Sequence, residues 1–200
     1  MDFQEEIRGH LLEYTDKTHT YLVDGEHLPS ITQIMKLKFG NMYDGVSKAT
    51  LEKAREHGSA VHEAVENWCK NGAESEFPEV RNFKFLMKKY QFQVEYNEVP
   101  VVLFADDVPI AAGRLDLVVS EIVNGETVTG LADIKCTSTL NKEYLAYQLN
   151  LYRLAFQQDY GEKISFLKGV HLKGDKTRKY VDIPINEELA WDLIGEFINE

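Results

Sequence analysis

A chain of 200 residues with 44% hydrophobic and 28% charged content is ordinary for a soluble globular protein and has ample length for a core. Its 33 acidic residues against 22 Lys and Arg give a net charge of −11, which argues against tight non-specific binding to DNA. Two isolated cysteines, Cys69 and Cys136, with no Cys-x-x-Cys pair argue against zinc and iron–sulphur ligation.

Asp2–Leu12 reads as a short helix, and the acidic Met1–Glu6 lacks the basic and apolar regions of a signal peptide. A hairpin follows, from His19-Thr20-Tyr21-Leu22-Val23 through Asp24-Gly25. Leu28-Pro29-Ser30 reads as a helix entry, with Ser30 as N-cap and Ile31, Ile34, Met35 and Phe39 as its apolar positions. Ser47 to Cys69 is the clearest helix, with Leu51, Ala54, Gly58, Val61, Val65 and Trp68 as a buried stripe. Arg55, Ser59, His62 and Glu66 form a polar stripe beside it. His62 and Glu66, one turn apart, could reach a common ion; a hydrogen-bonded histidine beside the core satisfies the same spacing.

Asn71-Gly72 ends that helix, and Pro78 to Tyr90 predicts another with Val80, Phe83, Leu86 and Met87 inward. Phe92 to Val99 alternates like a strand and Val101 to Phe104 continues it. Glu98 lies in this strand, and a plain edge-strand glutamate is one of its two readings. The apolar run Val99 to Ala105 is far too short to span a bilayer.

The centre of the chain is a pair of short apolar runs, Gly113-Arg114-Leu115-Asp116-Leu117-Val118-Val119 and Gly130-Leu131-Ala132-Asp133-Ile134-Lys135-Cys136. Asn124-Gly125 between them is a strong hairpin signal, because both turn residues need positive φ. A two-residue turn there pairs Val123 with Glu126 and, continued, Asp116 with Asp133. Alternation adds Lys135 to the face of Asp133 and gives the other face Leu115, Leu117, Val119, Ala132, Ile134 and Cys136. The expected hairpin therefore packs one side and presents two acids and a lysine on the other. Opposed carboxylates raise each other's pKa unless a cation sits between them, and a hard cation such as Mg²⁺ suits such a pair. A solvated charge cluster is the plain alternative.

Cys136-Thr137-Ser138-Thr139 is polar enough to touch a phosphate or to cap the next helix, where Leu145, Leu149, Tyr152 and Phe156 make a stripe. Gln148 and Tyr152 are one turn apart, so their polar ends could face the carboxylates; Tyr152 could equally be core. Strands near Ile164–Leu172 and Tyr180–Ile183 and a C-terminal amphipathic helix close the chain. Local basic excesses lie at Arg81, Lys84, Lys88 and Lys89 and across residues 161–180, where phosphates or plain solvent could meet them.

Gly-x-x-Asp, a hairpin and Asp-x-Lys together resemble the active-site core of the PD-(D/E)XK nuclease superfamily, especially its RecB-type and phage-exonuclease branches. Gly58-Ser59-Ala60-Val61-His62 upstream and Gln148-Leu149-Asn150-Leu151-Tyr152 downstream match those branches, and the set spans about residues 55–155. The resemblance implies an α/β, restriction-endonuclease-like core with a mixed central sheet flanked by helices. It implies one nuclease domain over residues 1–200, with 1–45 as an accessory extension and the catalytic core at about 47–185. It further implies hydrolysis of DNA phosphodiester bonds with Mg²⁺ or Mn²⁺ held by His62, Asp116, Asp133 and the Ile134 carbonyl. Lys135 would assist the attacking water, and Gln148, Tyr152, Glu66, Glu98 and Arg114 would support the site or bind substrate. An exonuclease in recombination, repair or phage DNA processing is the leading expectation. A restriction-like or structure-specific endonuclease, and a non-catalytic binding or assembly protein, are the alternatives. Expected partners are DNA, a recombination or single-strand-binding protein and a second copy of the chain, with no membrane. The expected location is the cytoplasm of a bacterial cell, with a phage as a candidate source.

Overall fold

In the computed structural model, which describes residues 2–199, the N-terminal segment is decided by one turn. Arg8 and Gly9 both take left-handed backbone, φ 52° and 80°, as a two-residue hairpin turn requires. They join β1 (Phe3–Ile7) to β2 (His10–Thr15), with Ile7 paired to His10. The helix expected over Asp2–Leu12 is corrected to this hairpin. Phe3, Ile7 and Leu11 imitate helical spacing, but Leu11 is exposed, while Leu12 and Tyr14, two apart, are buried. The expected second hairpin is present as β3 (Thr20–Val23) and β4 (Glu26–Leu28), turned by Asp24 and Gly25. The four strands form a sheet in sequence order.

Ser30 caps the next turn as expected: its Oγ accepts from Gln33 N at 3.1 Å, and Gln33 Oε1 accepts from Ser30 N at 2.6 Å. The helix is broken into two four-residue pieces, α1 (Ile31–Ile34) and α2 (Lys36–Phe39). Ser47 then caps α3 (Lys48–Asn71), which Gly72 closes at φ 67°, and Pro78 opens α4 (Pro78–Tyr90). The inner stripe predicted for α3 holds only in part. Val61 and Val65 are buried, but no residue from Lys48 to Ala60 is, so the first three turns stand clear of the core.

The main sheet has the order β5-β6-β7-β8-β9. Its strands are β5 (Gln93–Ala105), β6 (Val108–Val123), β7 (Glu126–Lys135), β8 (Phe166–Lys173) and β9 (Thr177–Ile183). All neighbours are antiparallel except β7 and β8, which α5 (Lys142–Tyr160) connects as a crossover; α6 (Glu187–Ile198) ends the chain. The sheet is mixed and flanked by helices, an α/β architecture. Asn124 and Gly125 make the expected turn at φ 54° and 84°, and the predicted register holds from Val123–Glu126 to Leu117–Ala132.

The central hairpin is expected to pack on one side only; in the structure both sides are packed, and Asp133 is buried. Helices cover both faces of the sheet. Leu145, Leu149 and Phe156 of α5 with Leu193 and Ile194 of α6 pack on Val101, Leu103, Val118 and Leu131. Val61, Val65, Phe83 and Leu86 of α3 and α4 pack on Leu117, Val119, Ala132 and Ile134. Leu115, expected beside Leu117, joins the α5 side. The small sheet packs Leu12, Tyr14 and Tyr21 onto Val102, Phe104 and Ala112 of β5 and β6. No helix among the described residues is long and apolar enough to cross a membrane.

Strand β5 is an edge, and the end of α5 seals part of it. Asp159 Oδ2 accepts from Val102 N at 2.7 Å, Gln158 bonds both N and O of Phe104 at 3.1 Å, and Tyr160 donates to Pro100 O at 2.8 Å. Burial pushes the Asp159 carboxyl up to about 7, against the backbone bond and the Arg8 charge that pull it down. A carboxyl that stays protonated in the fold but ionises near its ordinary value when unfolded contributes fully at low pH and loses that contribution as pH rises through 7. Asp159→Asn should therefore leave Tm nearly unchanged at pH 4 and raise it by roughly 2–4 °C at pH 8, the shift for about 1 kcal/mol at this chain length. Thermal melts across that range check it, and a variant less stable at pH 8 would refute it.

Candidate active site

The site forms where β6 and β7 part. Their printed ladder ends at Leu117–Ala132, and one residue on, Asp116 Oδ2 accepts from Ile134 N at 2.7 Å. A side-chain carboxylate thus takes the place of a ladder carbonyl. The Ile134 carbonyl lies 3.0 Å from His62 Nε2 of α3. A carbonyl can only accept, so Nε2 carries a proton, and the other ring nitrogen, Nδ1, faces the acids. Nδ1 is 3.6 Å from Asp116 Oδ2 and 3.9 Å from Glu98 Oε1.

Glu98 belongs here because Asn97–Leu117 and Val99–Leu115 flank it and Asp116 in the β5–β6 ladder. Its backbone is left-handed at φ 53°, a conformation that costs a glutamate on the order of 1 kcal/mol. Burial, and after it the Asp116 charge, pushes the Glu98 carboxyl up to about 7, opposed by Arg114 and His62. Arg114 Nε is 2.5 Å from Glu98 Oε2, and its guanidinium lies 5.3 Å from the Tyr14 ring centre. His62, Glu98 and Asp116 each offer one ligand atom, all within 4.8 Å of one another.

Asp133 is 3% exposed and has Lys135 Nζ 2.5 Å from its Oδ2. Burial raises the Asp133 pKa, with Lys135 opposing and Asp116 adding to the rise. Burial pulls Lys135 down, but the Asp133 and Asp116 carboxylates outweigh it and leave the ammonium more strongly held than usual. The group of close ligand atoms thus contains Glu98, whereas Asp133 sits behind it, paired to the lysine. Glu66 borders the same cleft, 2.5 Å from Lys70, but stands outside that group.

Gln148 and Tyr152 are each 5% exposed and do not line the cleft. Tyr152 supports the site from behind. A Cβ at Gly113 would lie 3.0 Å from its Cε1 and 3.1 Å from its hydroxyl, so glycine at the head of Gly-x-x-Asp lets the ring pack under β6. Burial raises the Tyr152 pKa well above its ordinary value, with Asp116 and Asp133 among the charges adding to it. The sequence reading passed over Tyr43, Tyr144 and Lys173 as cleft residues. Tyr144 falls one turn before Gln148, and that periodicity is the signal that could have found it; Lys173 belongs to the basic run over 161–180, which does not single it out, and nothing local marks Tyr43. The cleft they share with His62, Glu98, Asp116 and Lys135 has a volume of about 1510 Å³.

No family model and no curated protein matches this chain. Among solved structures it is similar to the crystal structure of SSO0001, with a TM-score of 0.46 and 14% identity over 85% of this chain and 74% of that one.

Two carboxylates, an imidazole nitrogen and a backbone carbonyl at this spacing suit a divalent cation, with Mn²⁺ better matched than Mg²⁺ to the nitrogen ligand. Mn²⁺ should raise Tm, because a cation that binds only the folded chain stabilises it by roughly 2.7 kcal/mol at about 100 times its Kd. Affinity should increase from pH 6 to pH 8, as Glu98 gives up its proton near 7 and becomes available as a ligand. Titration calorimetry should show the binding heat lost in Asp116→Asn. Equal heats in the parent and the variant would mean the ion sits elsewhere.

Proposed function

We propose that the chain is a metal-dependent deoxyribonuclease with a restriction-endonuclease-like core, a single catalytic unit carrying its N-terminal sheet as an accessory. The observation that carries this reading is the convergence on one backbone residue, Ile134, of Asp116 and His62, with Glu98 beside them and the Asp133–Lys135 pair adjoining. The residues fit a divalent ion: burial and, after it, the Asp116 charge raise Glu98 to about 7, a cost that a cation relieves. His62, Glu98, Asp116 and the Ile134 carbonyl would hold it. A bound Mg²⁺ or Mn²⁺ supplies a lowered water pKa and Lewis acidity toward phosphate oxygens.

The protein's own groups have separable tasks. Lys135, kept charged by Asp133, presents an ammonium at the cleft for the charge that builds on the phosphate, and it can orient the attacking water. Arg114 holds the Glu98 carboxylate in place. Tyr152 packs under β6 at Gly113, beneath the acids. An exonuclease in bacterial or phage DNA processing is the preferred form, on the resemblance of the ordered motifs.

The deciding experiment follows end-labelled linear DNA with Mg²⁺, Mn²⁺ or EDTA. Cleavage should require metal and fall by about 100-fold or more in Lys135→Ala and in Asp133→Asn. A closed circular substrate left intact marks an exonuclease, and a nicked one an endonuclease. Turnover that persists in EDTA or in both variants would sink the proposed site.

A further inference from the structure

The cations of the cleft are nearly all committed. Arg55 pairs with Glu52, Lys70 with Glu66, Arg114 with Glu98 and Lys135 with Asp133, each at 2.5 Å. Lys173, at the end of β8, is the one cleft lysine or arginine without a carboxylate partner among the described residues. Asp16, Glu56, Glu63, Glu66, Glu98 and Asp116 border the same space, in a chain of net charge −11. Proteins that hold duplex DNA by its two phosphate backbones neutralise several phosphates with free Lys and Arg, about 6–10 in well-bound cases. This cleft has nothing of the kind.

What it offers is aromatic and apolar surface beside the lysine. Met42, Tyr43 and Val46, between α2 and α3, line the cleft together with Tyr144 of α5. Tyr43 is 49% exposed and Val46 43%, and no aromatic ring among the described residues packs against Tyr43. The Tyr144 ring is fixed edge-on to Phe39, with centroids 5.2 Å apart. The loop is tied to the start of α5 by Asn141 Nδ2 on Met42 Sδ at 3.4 Å. The charges of Lys135, Asp133 and Tyr43 all act on the Tyr144 phenol, so this wall adjoins the Asp133–Lys135 pair.

We infer that the cleft takes single-stranded DNA, a free strand or an unpaired end, gripped by a base stacked on Tyr43 and by one phosphate at Lys173. This rests on the nuclease reading above and names its substrate. The physical reason is availability. An unpaired base has a free face for a tyrosine, whereas in a duplex those faces are already stacked on one another. Stacking also needs no surplus of positive charge, which explains how so acidic a chain could hold a polyanion.

Anisotropy of end-labelled oligothymidylate and of a blunt hairpin duplex, with Ca²⁺ and separately with EDTA in place of Mg²⁺, tests this without requiring turnover. The single strand should bind more tightly than the duplex. Tyr43→Ala should weaken it about tenfold, within the range for loss of one stacked base, while Tyr43→Phe keeps it. The slope of log affinity against log salt should be shallow, about −0.7 for one phosphate contact on a single strand. Equal or tighter duplex binding, an unaltered Tyr43→Ala or no binding of either DNA would overturn the inference. Duplex binding followed by metal-dependent cleavage would leave the nuclease reading standing. Single-strand binding through Tyr43 with no cleavage under any metal would do the reverse.

Discussion

The hydrogen bond from Ile134 N–H to Asp116 Oδ2 is the constraint on which the site depends. At that point β7 has lost β6 on one edge, while on the other it stays in register with β8 to Lys135–His171. The N–H that the β6 backbone no longer satisfies would otherwise be a buried, unpaired donor. A carboxylate fills the gap, in a charge-assisted bond stronger than the one it replaces. Because the carbonyl of the same residue meets His62, one residue's backbone fixes side chains from α3 and β6 relative to each other. The positions of the acid and the imidazole are therefore set by the geometry of a sheet, not by flexible side-chain packing.

Three carboxylates then stand close together on three adjacent strands, and the fold handles each differently. Asp133 is buried against an ammonium, Asp116 is bonded to a peptide N–H, and Glu98 shares Arg114 with the solvent side while keeping an elevated pKa. The left-handed backbone of Glu98 adds strain at the same place. Stability alone would favour none of this; removing an acid or relaxing the strand would be easier. Concentrated strain and like charge in an otherwise well-packed sheet are what a binding centre requires.

Much of the architecture could be read from local chemistry. Asn124-Gly125 fixed the register of the central hairpin, Pro78 and Ser47 placed two helices, and alternation located the strands. The failures have physical causes. Arg8-Gly9 is a weaker turn signal than Asn-Gly, so a helix-like spacing of Phe3, Ile7 and Leu11 concealed a hairpin. Period-two alternation says which side chains share a face but not what covers it, so it could not show that α5 and α6 pack on Val118 and Leu131 beside the acids. Glu98 could not be paired with Asp116 from sequence, because the β5–β6 ladder shifts register between Leu103 and Phe104 and the counting from its turn fails. Tyr43 and Lys173 come to the cleft by tertiary folding alone.

The seal along β5 has a consequence for how the chain is made. Strand β5 precedes by more than fifty residues the Gln158-Asp159-Tyr160 run that bonds Pro100, Val102 and Phe104. During synthesis the small sheet, β5 and β6 can assemble while that outer edge is still bare, and β7 still lacks its parallel neighbour β8. Long-range parallel pairing is slow to form, and unpaired edges are where nascent chains associate wrongly. The last turn of α5 therefore acts as a late latch: until it arrives, a ribosome-bound chain carries an open β-edge, and the interval before closure is when it is most exposed to misassembly with another copy of itself.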